Sequence, residues 1–176
     1  MDNNSQNCRA NGEVLLKYFY DYNERQEKLD IVKLAVFFGF MVKEGNLLDN
    51  IQAKMIISDS KSIIVNENLN EEYKRYAIAY ELSYYFLYYK GGKSLFKHIN
   101  ELYEDTKVKE LAISLLVRDE EFIKSYDSLK EENNESQIIN ILKEQFCVPK
   151  ELVRDMLHEI IINRKKQVKI KVEVVK

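Results

Sequence analysis

Residues 76–89 read YAIAYELSYYFLYY, a dense aromatic run with one carboxylate, Glu81, set into it. An ionisable acid among apolar and phenolic neighbours is costly unless it is hydrogen-bonded or keeps its proton. Three roles are open to it: a working general base, the remnant of a catalytic site, or a satisfied structural group. Tyr80 and Tyr84 flank it four residues apart, a spacing that stacks two side chains on one helix face. Two imidazoles at that spacing grip a divalent ion. Phenols, which titrate near ~10 and are neutral at pH 7, do not.

Little else in the chain offers a site. The two histidines, His98 and His158, lie far apart and have no partner at helical spacing. Cys8 and Cys147 form neither a metal-ligand spacing nor a disulfide framework, so a reducing compartment is expected. Ser83 has no base nearby in sequence, and Gly91-Gly92 reads as a helix stop rather than a phosphate loop.

The elements that must position Glu81 are legible from periodicity. Val14–Tyr22 has a helical apolar rhythm, the charged stretch NERQEKLD follows, and Ile31–Phe38 is a second helix stopped by Gly39. FMV reads as a short strand. The apolar runs Met55–Ile57 and Ile63–Val65 flank the turn-prone SDSKS and predict a hairpin. Asn70 is placed to cap a helix running to about Lys90, apolar almost all round and therefore central. Helices are expected over Lys107–Val117, Glu120–Leu129, Gln137–Phe146 and Pro149–Ile162, with KEENNES as a polar loop. QVKIKVEVV alternates strictly and predicts a closing strand.

With 176 residues, the chain is long enough to bury one sizeable core. Twenty-seven Lys and Arg against 29 Asp and Glu leave a net charge of −2, so no global basic field points to nucleic acid. MDNNSQNCRANGE has no signal-peptide apolar stretch, and no run approaches a membrane span. A cytoplasmic protein without membrane contact is the expectation.

The order R-x-x-I-A-x-E-L-x-x-Y-F-L, after a hairpin ending IIVNENL, resembles the ImmA/IrrE family of zinc metallopeptidases. Val65, Asn66, Leu69, Arg75, Ile78, Ala79, Glu81, Leu82 and Tyr85 keep that frame. ELAISLLVRDEEF, IINILKEQFCVPKELVRDML and DIVKLAVFFGFMV are similar to further family segments, so the resemblance spans roughly residues 29–157. It implies a helix-dominated, zincin-like α+β domain with a small sheet and a C-terminal helical pair. Residues 1–28 are then a polar segment and helix, 29–130 a degenerate metallopeptidase-like domain, and 131–176 the helical pair with a basic strand tail.

The departures from the family are concentrated at its metal site. Its His-Glu-x-x-His becomes Tyr80-Glu81-Leu82-Ser83-Tyr84, and its third, acidic ligand falls on or near Lys107, with Asp105 and Glu110 nearby. The degenerate site positions are therefore Tyr80, Glu81, Tyr84 and Lys107, with no metal, no cofactor and no catalytic residue expected. Glu81 is expected to be a structural acid held by phenols or by a lysine such as Lys107. Family members typically cleave a helix-turn-helix repressor for a mobile element or stress response. The resemblance thus implies a non-catalytic regulator, from a phage or mobile element, that binds a repressor-type or other host protein.

Two alternatives remain open. One is an active peptidase with unorthodox metal ligands. The other is a DNA-binding regulator using the C-terminal pair, because the tail from Arg164 carries six cations against one anion. The pair itself is mixed in charge.

Overall fold

The computed structural model describes residues 14–17, 19–20, 28–88 and 106–174, the last ten as backbone. Residues 14–17 and 19–20 are helical. The elements that follow are α1 (Ile31–Phe37), β1 (Phe40–Gly45), β2 (Ala53–Ile57), β3 (Lys61–Asn66), α2 (Glu71–Tyr88), α3 (Thr106–Leu116), α4 (Asp119–Leu129), α5 (Glu135–Phe146) and α6 (Lys150–Val174). This is a helix-dominated α+β fold with a small sheet, as the periodicities predict. Cys8, His98, Asp105 and Gly91-Gly92 lie outside the described residues.

Local chemistry accounts for the boundaries. The Asp30 carboxylate caps α1 by accepting from the Lys33 N–H at 3.0 Å. Gly39, at φ +82, ends that helix in a conformation that glycine adopts without steric cost. Asn70 caps α2 by accepting from the Tyr73 N–H at 3.1 Å, with Glu71 and Glu72 in the first turn. Asn134 and Gln137 form a reciprocal capping box at the start of α5.

The hairpin β2–β3 is antiparallel, and β1 adds parallel to β3, giving the strand order β1-β3-β2. Phe40, Ile63, Val65, Ala53 and Met55 are buried on one face of this sheet. Helix α2 packs on the sheet and on α3. It is buried on every side over Tyr76–Tyr84, the residues that the aromatic stripes mark as central. The pair α5–α6 closes the core through Ile138, Leu142, Val153 and Met156.

One sequence expectation fails here. QVKIKVEVV does not form a strand but continues α6 to Val174. Alternation with period two is only a pattern, whereas extending a helix already docked by Leu152, Val153, Met156 and Leu157 needs no new nucleus. Arg164 ties the helix to α4 through a bidentate pair with Asp127, at 2.8 Å and 2.8 Å. The tail is therefore a helix, while the side chains of Lys165, Lys166, Lys169, Lys171 and Lys176 lie outside the described residues. Pro149 stands just before the first helical residue, its carbonyl accepting from the Leu152 N–H at 3.0 Å.

Cys147 joins α5 to α6 in the left-handed region, at φ 51. A β-carbon costs about 1–2 kcal/mol in that conformation. Cys147→Gly is expected to raise stability by about 0.5–1 kcal/mol in urea unfolding. A loss would mean that the half-buried thiol contributes more through packing than the backbone loses through strain.

Candidate functional site

The capped start of α2 is fixed from three directions. Arg75 Nη1 donates to the Leu29 carbonyl at 2.9 Å and Arg75 Nε to the Cys147 carbonyl at 3.3 Å. The Tyr73 hydroxyl donates to Glu151 on α6 at 2.8 Å. Asn66, 2% exposed, closes the end of β3 by donating to the Ile51 carbonyl at 3.0 Å and accepting from the Asn68 N–H at 3.1 Å. These bonds set the position of α2 against the hairpin.

Helix α2 places Tyr80, Glu81 and Tyr84 in the core, at 1%, 4% and 6% exposure. The Tyr80 ring meets Tyr76 edge-on at 6.0 Å, and Tyr84 lies against Tyr88 at 5.2 Å. The phenols pack as aromatic core. Lys107 is exposed on the first turn of α3.

The surprise is the partner of Glu81. Its carboxyl lies against the backbone amide of Met55, which favours the charged form, rather than against a phenol or a lysine. The register explains why that donor is available. In β2–β3 the Asn66 N–H donates to the Gln52 carbonyl at 2.9 Å, so the even-numbered residues of β2 exchange bonds with β3. Met55 belongs to the other set, and its N–H points away from β3 to the outer edge of the sheet. Glu81 covers that edge donor.

Burial pushes the Glu81 carboxyl up to about 7, and the Met55 hydrogen bond works against the shift by favouring the carboxylate. A buried acid can use its proton, its charge or its lone pairs. Here the carboxyl sits beside a main-chain donor directed away from β3.

The other candidates are accounted for structurally. Ser83 Oγ donates to the Ala79 carbonyl at 2.7 Å, one turn back along the helix. His158 is exposed on α6, and Cys147 is a helix end. Among the described residues no group of three His, Cys, Asp or Glu stands close enough to hold a metal ion. The residues present do not fit the zinc ion that the family resemblance implies: two packed phenols replace the imidazoles, and the acid between them is buried.

Sequence reasoning missed two features. The strand IIVN is the central strand of the sheet, and the outer edges belong to β1 and β2. Lys61 is the second. Its Nζ donates to the Phe38 carbonyl at 2.6 Å and stands 4.9 Å and 5.0 Å from the Phe40 and Tyr85 ring centroids. A lysine opening a strand with an apolar middle, Ile63–Val65, was the available signal.

Among the described residues no helix is long and apolar enough to cross a membrane. Comparison of the chain with protein-family models, with curated proteins and with solved structures finds no match.

Proposed function

We propose that this chain is a non-catalytic, protein-binding regulator on an ImmA/IrrE-like frame, with a repressor-type or other host protein as its partner. The reading places it in the cytoplasm, in the service of a phage or mobile element. One observation carries it: the acid at the general-base position of the resemblance is buried, 4% exposed, against the backbone of β2. A general base must reach the proton it removes, and this one faces a strand edge. The neighbouring positions Tyr80 and Tyr84 supply packed rings where the family has ligands.

The same geometry supports recognition without cleavage. β1 is the strand at the other side of the sheet, with Met41 exposed, and an extended segment of a partner adds to a sheet edge by backbone hydrogen bonding. Specificity would then come from side chains beside that edge.

The test starts with capture of a partner from the native host by the tagged chain, followed by purification of that partner. Wild type and Glu81→Gln are then compared for binding and for cleavage, with products weighed by mass spectrometry. The expected outcome is equal affinity for both chains and an intact partner. A partner cut by wild type and spared by Glu81→Gln would establish the peptidase alternative instead.

A further inference from the structure

The sheet has a second face, opposite the one that buries Phe40, Ala53, Met55, Ile63 and Val65. Strand alternation sends Met41 and Lys43 of β1, Lys54 and Ile56 of β2, and Ser62 and Ile64 of β3 to that outer face. All six are half-buried or exposed. A sheet side that meets water is ordinarily polar. Here three of the six are apolar, and Met41 is 49% exposed.

The register sets these residues in two cross-strand rows, Lys43-Ile64-Lys54 and Met41-Ser62-Ile56. Ile64, on the central strand, therefore stands between two lysines whose Cα atoms are about 10 Å apart, two strand spacings. None of the three strands brings an acid to this side. Glu44, next to Lys43 in sequence, belongs to the other face and is held by Lys74 at 2.7 Å. Lys43 is exposed and has no ion pair among the described residues.

That spacing matches an amphipathic helix, which is about 10–12 Å across with its side chains. A helix lying along β3 sets its apolar stripe on Ile64 and its two shoulders over Lys43 and Lys54. Cations on both sides of an apolar strip are complementary to acids on both shoulders.

We propose that the outer face of the sheet docks an acidic amphipathic helix of a partner protein, its apolar stripe along β3 and its carboxylates on Lys43 and Lys54. This partner chemistry rests on the protein-binding reading above.

The test uses the full chain and fluorescein-labelled helical peptides of about 13 residues, the length that spans β3. One carries leucine along a single stripe and glutamate on both shoulders. The second has lysine for every glutamate, and the third has serine for every leucine. Fluorescence anisotropy is expected to saturate with the leucine–glutamate peptide, with the other two weaker by about tenfold or more. Lys43→Glu and Met41→Glu, both at exposed positions, are expected to melt close to wild type and to lose about fivefold or more in affinity. Equal binding of the glutamate and lysine peptides, unchanged affinity in either variant, or no saturable binding would each overturn the proposal. So would sedimentation of the chain with phosphatidylglycerol vesicles in place of peptide binding, which would assign the face to a lipid surface. A host partner that binds Lys43→Glu as tightly as wild type would sink this face alone and leave the protein-binding reading standing. Capture of no host protein would sink the reading itself.

Discussion

Tyr80→Ala is expected to destabilise the chain by about 3–5 kcal/mol, the range for emptying a buried aromatic site. Tyr80 is among the largest side chains with almost no exposure, at 1%, and its ring packs against Tyr76 in the middle of the most enclosed helix. Small domains hold only about 5–15 kcal/mol in total, so urea or thermal unfolding of this variant should shift far. Tyr80→Phe keeps the ring and is expected to cost within about 1.5 kcal/mol. The pair of variants separates filling from ligation. If the phenol held a metal, Tyr80→Phe would be as damaging as Tyr80→Ala, and a chelator would lower the melting temperature of wild type. Packing alone predicts neither.

Glu81→Gln has the opposite sign. At pH 8 it is expected to stabilise the chain by about 3 kcal/mol, and at pH 4 to change little. The carboxyl is raised from an ordinary 4.5 to about 7 by burial, so the folded state holds the proton more tightly than the unfolded chain. Below pH 4.5 both states carry it, and Glu81 imposes no ionisation penalty. Between 4.5 and 7 the unfolded chain releases the proton first, so stability falls as pH rises. Above 7 the loss is complete, on the order of 3 kcal/mol at about 1.4 kcal/mol for each tenfold change in proton affinity. Glutamine has the same shape, keeps an acceptor for the Met55 N–H and does not titrate. Unfolding free energies of both chains from pH 4 to pH 8 check the effect. A wild-type profile parallel to that of Glu81→Gln would mean that the carboxyl is not held buried against β2.

Both predictions start from a run of residues whose elements were legible and whose partners were not. Asn70, Glu71 and Glu72 announce the start of α2, and its two apolar stripes announce burial on every side. Gly39 marks the end of α1, and SDSKS marks the hairpin turn. These are local signals, written within a few residues of the structure they specify. The Met55 contact has no such signal. It depends on which set of β2 residues exchanges bonds with β3, and on how far α2 approaches that edge. Both are settled by packing between segments that the sequence does not order. The same holds for β3, whose central position follows only once β1 joins it from the far side.

The tail shows the reverse fault, a local signal that tertiary structure overrides. Strict alternation over QVKIKVEVV suits a strand with one wet face, yet no described strand pairs with it and α6 runs straight into it. Arg75 was legible as part of a frame but not as a group with a donor to spare. That property needed the positions of the Leu29 and Cys147 carbonyls.

The account stands on the claim that Tyr80, Glu81 and Tyr84 form packed protein interior and not a metal centre. Equilibrium dialysis of the full chain against zinc at neutral pH, run beside Glu81→Gln and Tyr84→Phe, puts that claim to measurement. The prediction is the same zinc content in all three chains, with none retained through these side chains. One ion per chain in wild type, released by either substitution, would contradict it.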